Sequence, residues 1–370
     1  MAGLYIHVPF CKQKCTYCDF ASFPKEIGRI ESYFACLYRE IEARGKQYKN
    51  KVINTIYIGG GTPSFVDSKF IVGAIRQVKK FFTLSQNAEI TIEINPGTID
   101  ENKVKDYFSV GINRFSIGLQ TGFNDQLLRL NRIHTAKDFL LTCNLLKGKN
   151  YSADILLGIH DQTKEQLQKT LDLAIAGGVS HISAYALTPE VGTPIYTDYL
   201  NGELLSDDEV ASLYDFLREY LKEKGFYRYE VSNFARPGYE SKHNINYWER
   251  GEYIGVGVSA SSFMDGRRFT NTFNLSEYIN AIIYNKTPEI SSDQIEGEDA
   301  EFEFIMLGLR QDKGITLKKF KEIFGVDLLE KYRTAIKKND KYISITEDTL
   351  KIKEEYIYVQ NGIIMEFLNK

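Results

Sequence analysis

The chain has 370 residues, of which 43% are hydrophobic and 26% are charged, and only 8 are prolines. This balance excludes disordered and collagen-like proteins, and the length predicts one large domain with an appendage, or two domains. Lysines and arginines number 46 against 49 aspartates and glutamates, a net charge of -3, so no global positive field indicates nucleic acid or anionic lipid as a partner. The sequence has no run of about 18 apolar residues and no leader-like start, which predicts a cytoplasmic protein without a transmembrane segment.

Six short strand-like runs alternate with amphipathic stretches along the first part of the chain. The predicted strands cover residues 4–8, 55–59, 89–95, 114–118, 152–158 and 181–187, and the predicted helices cover residues 27–46, 69–82, 136–149, 164–176 and 207–224. Strands separated by helices run parallel, because each crossover carries the chain back to the same end of the sheet. Residues 1–235 are therefore predicted to form an α/β fold, a partial parallel (β/α)6 barrel.

The pattern changes beyond residue 235. Residues 236–300 form an extension rich in glycine and aromatic residues, and its acidic end, residues 291–300, is predicted to be a linker. Residues 301–370 are predicted to form a small helical, winged-helix-like domain, with helices at 303–309, 317–324 and 328–338 and strands at 342–345 and 350–352. Between Lys313 and Lys341 stand nine basic residues against four acidic ones. This mild positive charge has two possible interpretations, a DNA contact or a solvent-exposed face of a packing domain.

The chemically distinctive residues follow the predicted strands. A cysteine cluster comes after the first strand, a run of glycines after the second, residues 93–96 after the third, residues 118–120 after the fourth and residues 185–189 after the sixth. In parallel α/β folds the C-terminal ends of the strands carry ligands and catalysis. These residues are therefore predicted to converge on one pocket.

Three of the five cysteines, Cys11, Cys15 and Cys18, lie within eight residues of one another. This is no disulfide framework, and in a reducing compartment such a cluster holds a metal or does chemistry. Three thiolates can hold three irons of a cubane cluster and leave the fourth iron open as a reaction site. A zinc site completed by His7 is an alternative, as is chance clustering, although zinc sites usually combine two separated cysteine pairs.

The spacing of these cysteines, with Tyr17 before the last one, resembles that of radical S-adenosylmethionine (SAM) enzymes. Residues 5–11, YIHVPFC, and residues 59–64, GGGTPS, resemble more narrowly the oxygen-independent coproporphyrinogen oxidase group and its HemW-type haem chaperone relatives. The resemblance implies a radical SAM barrel that holds one [4Fe-4S] cluster and SAM. It also implies an electron donor, such as flavodoxin or ferredoxin, because the reduced cluster cleaves the SAM bound at its open iron.

The resemblance also implies a set of cofactor contacts. They are Tyr5, Tyr17, Gly60, Gly61, Thr62, Glu93, Gln120, Arg132, Asp154 and Ala186. The glycines are implied to let backbone groups reach the amine of SAM, Glu93 to bind its ribose and Arg132 to meet its carboxylate. From the residues alone, a glycine run is also typical of a tight turn, Glu93 of a structural acid and Arg132 of a surface ion pair. The chain departs from the family at residues 158–160, which read Gly-Ile-His where the family commonly has Gly-Leu-Pro.

Two features indicate the chaperone branch rather than the oxidase branch. Oxidases of the group carry another cysteine two residues past the third, where this chain has Phe20. Residues 243–248, HNINYW, match the HNxxYW signature of the haem chaperones and contain the only tryptophan. The resemblance implies that His243 ligates haem iron, as an imidazole beside aromatic rings can; a packed loop is the structural alternative. Ser261 stands where family members often carry a histidine, so any haem contact of that histidine is missing here.

The other histidines and cysteines are predicted to be structural. His7 and His181 are interpreted as pocket-lining or core residues and His134 as a surface residue. Cys36 and Cys143 are interpreted as buried apolar side chains.

The resemblance as a whole implies a haem chaperone that binds haem and delivers it to haem-dependent, respiratory proteins, in the cytoplasm or peripherally at the membrane. Homodimerisation is left open, and no nucleic acid is expected as a partner. Two other functions stand as alternatives. One is radical SAM oxidative decarboxylation of coproporphyrinogen III, and the other is DNA-binding regulation through a sensing cluster.

Overall fold

The computed structural model describes residues 2–368, so Met1, Asn369 and Lys370 at the ends of the predicted domains lie outside the described residues. The strands in this range are β1 (Ala2–Val8), β2 (Val52–Gly60), β3 (Thr83–Ile94), β4 (Arg114–Gln120), β5 (Asn150–Leu157), β6 (His181–Ala186), β7 (Tyr227–Arg228), β8 (Asn233–Ala235), β9 (Glu252–Val256), β10 (Ser261–Met264), β11 (Arg267–Asn271), β12 (Glu289–Gln294), β13 (Ile315–Thr316), β14 (Ile343–Ile345) and β15 (Thr349–Ile352).

The α-helices in the same range are α1 (Ile30–Gln47), α2 (Ser68–Phe81), α3 (Glu101–Ser109), α4 (Asn124–Arg129), α5 (Ala136–Leu145), α6 (Lys164–Ala176), α7 (Pro194–Leu200), α8 (Asp207–Glu223), α9 (Lys242–Trp248), α10 (Leu275–Ile283), α11 (Gly297–Gly308), α12 (Leu317–Phe324), α13 (Leu328–Lys331), α14 (Arg333–Lys338) and α15 (Gln360–Met365). Short 3-10 helices cover Pro24–Arg29, Pro63–Phe65 and Glu354–Val359. Three α-helices, α5, α6 and α8, begin with capping boxes at the residues where the sequence predicts their start, because a threonine or serine side chain accepts the free backbone N–H there.

Twelve strands form one open sheet in the order β12-β11-β10-β9-β1-β2-β3-β4-β5-β6-β8-β7. Each neighbouring pair from β1 to β6 is parallel, which confirms the predicted partial parallel (β/α)6 barrel. The extension after residue 235 adds β9 parallel to β1 and then β10, β11 and β12 in antiparallel pairs. It therefore widens the sheet of the barrel, and the division of the chain at residues 235 and 300 stays a prediction.

The barrel strands carry apolar side chains on one face and polar side chains on the other. In β1, Leu4, Ile6 and Val8 are fully buried in the main hydrophobic core. The residues between them, Tyr5 and His7, point to the opposite, inner face, because successive side chains of a strand alternate between faces. Burying polar groups on the inner face costs free energy unless they bond to partners or ligands. The alternation of apolar and polar residues therefore indicates that a binding site lies on the inner face.

The acidic stretch that the sequence predicts as a linker is structured. β12 pairs antiparallel with β11, and α11 begins at Gly297. The linker prediction is wrong because β12 is an edge strand whose side chains are mostly exposed and polar, so it shows no hydrophobic alternation. The predicted helix 328–338 is interrupted at Tyr332 between α13 and α14. Helices α3, α4, α7, α9, α10 and α15 are additions to the predicted set.

From α11 onward the chain forms a module with its own hydrophobic core. Its elements follow in the order α11, β13, α12, α13–α14, β14, β15, the 3-10 helix Glu354–Val359 and α15, and its three strands form a sheet in the order β13-β15-β14. This arrangement is the winged-helix-like one that the sequence predicts.

Several basic residues of the last module are engaged in ion pairs. Lys313 and Lys319 both contact Glu249, and Lys331 contacts Glu301. These pairs neutralise part of the positive charge that left a DNA contact open. None of the helices within residues 2–368 combines the length and the apolar character needed to cross a membrane.

Candidate functional site

A cavity of about 400 Å³ opens where the C-terminal ends of the barrel strands meet. Its walls include most of the predicted site residues, namely Cys11, Cys15, Tyr17, Cys18, Gly60, Gly61, Thr62, Glu93, Gln120, Arg132, Asp154 and Ala186. Tyr5 lines a neighbouring cavity, and His243 lies outside the walls of both. Because parallel strands bring their carboxyl ends to one edge, residues far apart in sequence meet in this first cavity.

The glycine turn after β2 packs directly on the cysteine loop. The Gly61 N–H donates to the Val8 carbonyl at 2.9 Å, and the Thr62 N–H donates to the Phe10 carbonyl at 2.8 Å. A Cβ on Gly61 would lie 2.9 Å from Cys11 Sγ and 2.8 Å from the Phe10 oxygen. Glycine is therefore required here by the close approach of two backbone segments, one of which carries a predicted cluster ligand.

Burial disfavours the thiolate form of two of the three loop cysteines in the metal-free chain. Burial raises the pKa of the Cys11 thiol, and burial raises the pKa of Cys18 to about 11. Metals bind thiolates, so a metal that occupies this loop must displace protons from it.

The side chains around the cysteine loop bear on the zinc alternative. A tetrahedral zinc ion would hold its sulfur ligands about 3.8 Å apart, given Zn–S bonds of about 2.3 Å. Within residues 2–368, the one group of three metal-ligating side chains whose donor atoms all lie within 4.8 Å of one another is His160, Asp198 and Glu203, so the three cysteine sulfurs do not form such a group. His7, the predicted fourth zinc ligand, has both ring nitrogens bonded, Nε2 to the Ala21 carbonyl at 2.9 Å and Nδ1 to the Tyr5 hydroxyl at 3.0 Å. Three thiols in this setting fit the cubane cluster.

Arg132 is held inside the cavity wall and is not the surface ion pair that the sequence left open. Its Nη2 donates to Asn95 Oδ1 at 2.6 Å and to the Gly118 carbonyl at 2.9 Å, and its Nη1 lies 3.5 Å from Cys15 Sγ. A guanidinium in this place can balance the negative charge of thiolates and bind a carboxylate. The role of Asn95 was missed by the sequence analysis. Asn95 lies two residues after Glu93, and alternate residues of a strand share one face, so this spacing could have indicated that Asn95 faces the same cavity.

Two carboxyl groups, on strands β3 and β5, line the first cavity. Glu93 accepts hydrogen bonds from the Tyr57 hydroxyl at 2.9 Å and from the Gly60 N–H at 3.2 Å. Asp154 accepts from the Ser116 hydroxyl at 3.1 and 3.0 Å. Burial raises the pKa of both carboxyl groups, that of Glu93 to about 7. Such acceptors suit a ligand that offers hydroxyl or ammonium donors.

Gln120 ends β4 in an unusual backbone conformation. Its φ is 67°, in the left-handed region that non-glycine residues seldom adopt. In this conformation Gln120 lines the wall of the first cavity, as its neighbour Gly118 does. A Cβ on Gly118 would lie 2.8 Å from Arg132 Nη2. Backbone strain of this kind is typical of binding sites.

Comparison with known proteins gives the family. Residues 5–174 match the family model described as "Radical SAM superfamily", and residues 295–355 match the "HemN C-terminal domain". The chain is 35% identical over 348 residues to the protein named heme chaperone HemW of Buchnera aphidicola subsp. Schizaphis graminum, an alignment that covers 91% of this chain and 90% of that protein. The chain belongs to the HemW family of radical SAM proteins. It is also 33% identical to the protein named heme chaperone HemW of Escherichia coli, over 82% of this chain and 81% of that protein.

The HemW-family fold is shared with a solved structure described as coproporphyrinogen III oxidase (HemN) from Escherichia coli, a radical SAM enzyme. The TM-score is 0.87, and the match covers 99% of this chain and 89% of that chain at 18% sequence identity. This likeness concerns the fold, and it confirms the radical SAM barrel with a small C-terminal module.

Glu93→Gln is expected to stabilise the cofactor-free HemW-family chain at pH 8. The folded-state pKa of Glu93 is about 7, against an ordinary value of 4.5, because of burial and then the neighbouring Asp154. The folded chain therefore holds a proton that the unfolded chain has lost, and wild-type stability falls as pH rises from 4.5 to 7. Above pH 7 this loss amounts to about 3 kcal/mol of the free energy of unfolding of the wild type. The glutamine variant does not lose this stability, because its side chain does not titrate.

Thermal unfolding of both chains at pH 5 and pH 8 measures this effect. The control is Glu31→Gln on the exposed surface of α1, which should change stability equally little at both pH values. If wild type and Glu93→Gln melted at the same temperature at pH 8, the raised pKa would be refuted.

A second cavity, of about 720 Å³, adjoins the first on the same face of the sheet. Its walls combine residues of β1, α9, β9, β10, β11 and α11. Lys14, Asp19, Phe20 and Ser22 line both cavities. The cysteine loop is therefore the partition between them, so a ligand in either cavity lies next to the loop.

His243 is packed in the core of this HemW-family protein. The side chain is 1% exposed, and its ring stacks on Tyr57 with centroids 5.3 Å apart. Nδ1 lies 2.8 Å from the Thr55 hydroxyl, and Nε2 lies 2.8 Å from the Tyr247 hydroxyl. Burial, and then the charge of Arg114, lowers the pKa of His243 to about 3, so the ring is neutral. Neither ring nitrogen is free in this conformation, and ligation of haem iron by His243 stays a prediction.

The remaining sequence interpretations have mixed outcomes. His7 and His181 are buried, as predicted, and so are Cys36 and Cys143. His134 is 3% exposed, so its interpretation as a surface residue is wrong. The chain after Arg132 turns back under the end of β4, which brings His134 Nε2 within 3.3 Å of the Leu119 carbonyl.

Ser261 and Phe20 mark the edges of the second cavity. Ser261 lines its wall and bonds the Thr270 hydroxyl at 2.9 Å. Phe20 is 62% exposed and lines both cavities. The side chains at these two positions therefore supply neither an imidazole nor a thiol to the site.

Proposed function

We propose that this protein is a HemW-type haem chaperone. It binds haem, a [4Fe-4S] cluster and SAM, and it delivers haem to haem-dependent, respiratory proteins. It acts in the cytoplasm or peripherally at the membrane, and a flavodoxin or ferredoxin reduces its cluster. Relatives named heme chaperone HemW, similar over most of the length of both chains, support the proposal.

The observation that carries the proposal is the pairing of two cavities. The first has the thiols and polar groups that suit a cluster and SAM, and the second is larger and partly walled by Tyr247 of the HNxxYW segment. At about 720 Å³ the second cavity is within the range of roughly 300–1,000 Å³ typical of small-molecule sites. A protein with both can hold a large flat ligand beside its cluster.

In the first cavity, Cys11, Cys15 and Cys18 would hold the cluster, which when bound and reduced supplies the electron that cleaves SAM. Arg132 is oriented by Asn95 and the Gly118 carbonyl so that its guanidinium can bind a carboxylate. Glu93 and Asp154 are oriented by Tyr57 and Ser116, and they can accept hydrogen bonds from ligand hydroxyl or ammonium groups.

His243 is the proposed ligand of haem iron. In the described conformation the Tyr247 hydroxyl occupies Nε2, and Tyr247 itself lines the second cavity. Ligation therefore requires Tyr247 to release Nε2 and move aside, which would open His243 to the cavity. Tyr247 would act as a gate between the imidazole and the bound haem.

Anaerobically reconstituted protein is expected to bind hemin with a saturable change in Soret absorbance. The same preparation, given SAM, a reductant and coproporphyrinogen III, is expected to form no vinyl product. Hemin-loaded protein should also restore activity to a haem-free respiratory enzyme faster than free hemin does. The control is protein without its cluster, which isolates the contribution of cluster and SAM to haem transfer.

Vinyl product formed over several turnovers would replace the chaperone proposal with the oxidase alternative. Hemin absorbance that never saturates would also contradict the proposal. Salt-dependent binding of duplex DNA in a gel-shift assay would instead favour the regulator alternative.

A further inference from the structure

Two arginines and one glutamate form a compact group on the wall of the second cavity. Arg250 Nε donates to Glu303 Oε2 at 2.8 Å, and Arg268 Nη2 donates to the other oxygen of Glu303. Both guanidinium groups also lie over the ring of Phe263, 4.6 and 5.1 Å from its centroid. All four side chains line the cavity, and we call this set the arginine clamp.

The arginine clamp carries more positive charge than its own carboxylate neutralises. Two guanidinium groups share one carboxylate, so a net charge of about +1 remains. Each arginine has five N–H donors, more than one carboxylate can satisfy. The side chains of Arg250 and Glu303 are only 13% and 11% exposed, so water screens this excess charge incompletely. The clamp is therefore suited to bind a further carboxylate from a ligand.

The rest of the cavity is suited to a flat apolar body. Tyr247 and Tyr253 pack edge to face at 4.7 Å, and Phe273 and Leu307 add further apolar surface. Aromatic walls favour planar ligands because ring faces stack at low entropic cost. A ligand that matches both features is a flat apolar ring with carboxylates along one edge.

We propose that the second cavity binds haem with its two propionates at Arg250 and Arg268, and that Glu303 occupies the propionate position while haem is absent. This inference rests on the proposed function and names its binding site. In haem the two propionates project from one edge of the macrocycle, so a single cationic wall matches them. Coproporphyrin carries four carboxylates around its whole perimeter. On the cysteine-loop side the cavity offers Lys14 together with Asp19, whose charges cancel, so the cavity favours the dicarboxylate ring.

Hemin titrations of the full chain test the clamp. Arg250→Ala and Arg268→Ala are each expected to weaken hemin binding at least tenfold, because each removes a charge-assisted bond to a propionate. The matched control is Arg267→Ala on the same strand β11, since Arg267 also pairs with a glutamate, Glu289, and stacks on a phenylalanine outside the cavity. Its hemin affinity should stay within twofold of wild type. Hemin dimethyl ester, which has no free propionates, should bind wild type at least tenfold more weakly than hemin.

Glu303→Gln separates a binding role from a structural one. The clamp joins α11 of the last module to the strand extension, so a purely structural clamp would be weakened alike by loss of either arginine or of Glu303. If Glu303 competes with the propionates, Glu303→Gln should instead bind hemin several times more tightly than wild type. Weaker hemin binding by the arginine variants together with tighter binding by Glu303→Gln would not result from misfolding, which weakens binding in every variant.

Ser261→His gives a positive test of where the ring lies. Ser261 lines the cavity from β10, so a histidine there places an imidazole beside a haem bound as proposed. The variant should show the absorption and EPR signature of haem iron with a second nitrogen ligand, which the wild type lacks. Ser292→His, on the exposed edge strand β12 outside the cavity, is the matched control.

The outcomes separate the inference from the function on which it rests. If wild type fails to bind hemin saturably, the proposed function fails. If wild type binds hemin but the arginine variants, the ester and Ser261→His all behave as their controls do, the cavity assignment is overturned while the chaperone function stands. Coproporphyrin that binds as tightly as hemin would overturn the preference for two carboxylates.

Discussion

Replacing His243 with alanine is expected to lower the free energy of unfolding by about 3 kcal/mol. The imidazole is buried, and its nitrogens lie 2.8 Å from the hydroxyls of Thr55 and Tyr247. Alanine would leave both hydroxyls without these partners and would remove the ring that stacks on Tyr57. Urea unfolding of the cluster-free chain measures the loss. His160→Ala is the matched control, because that loop histidine pairs with the partly exposed Asp198 and should cost less than about 1 kcal/mol.

This structural cost means that weaker hemin binding by His243→Ala would not by itself identify an iron ligand. Tyr247→Phe resolves the ambiguity, because it keeps the ring that lines the cavity and removes the hydroxyl that occupies Nε2. If His243 ligates iron, freeing Nε2 should raise hemin affinity about fivefold, the equivalent of one hydrogen bond of about 1 kcal/mol. Weaker hemin binding by both variants would assign His243 a packing role and contradict its assignment as a ligand. If His243→Ala were as stable as the wild type, the packing of His243 described above would be contradicted.

Replacing Cys11, Cys15 or Cys18 singly with alanine is expected to abolish the cluster. Each thiolate holds one corner of the cubane, and two protein ligands do not retain it, so iron bound after anaerobic reconstitution should fall from about four atoms per chain to less than about one. Iron and sulfide analysis measures the loss, and EPR spectra with and without SAM test whether one iron is open to the cofactor.

Cys36→Ala and Cys143→Ala are the matched controls for this series. Both cysteines are buried in the hydrophobic core, away from the cluster loop, so these variants should keep a full complement of iron. Zinc bound to the wild-type loop in an oxygen-free preparation, or full iron loading in any of the three loop variants, would refute the open-iron cluster.

The sequence predicted the barrel because its strands have a local signature. On β1 the buried Leu4, Ile6 and Val8 alternate with the inner-face residues Tyr5 and His7, and an alternation of period two depends only on near neighbours. The same rule would have found Ser116, which lies between two other inner-face positions of β4 and bonds Asp154. The exposed edge strand β12 has no such pattern, so the sequence could not reveal it.

The candidate site was predicted in composition but not in geometry. The sequence allowed Arg132 to be either a cofactor contact or part of a surface ion pair. The structure places Arg132 in the cavity wall, because it donates hydrogen bonds to Asn95 and to the Gly118 carbonyl. His134 was assigned to the surface because nothing local predicts that the loop folds back on β4. The arginine clamp was missed entirely, because Glu303 is separated by 53 residues from Arg250 and by 35 from Arg268.

By itself the sequence determined the order of the six parallel barrel strands, the starts of helices α5, α6 and α8, and the three-thiol loop, because each of these depends on residues within a few positions of one another. Only the tertiary structure decided which side chains share a cavity, that His243 is bonded to Thr55 188 residues away, and that two arginines meet one glutamate. Burial and charge pairing set the pKa values and the binding surfaces, and both arise from contacts that form only when distant segments pack together.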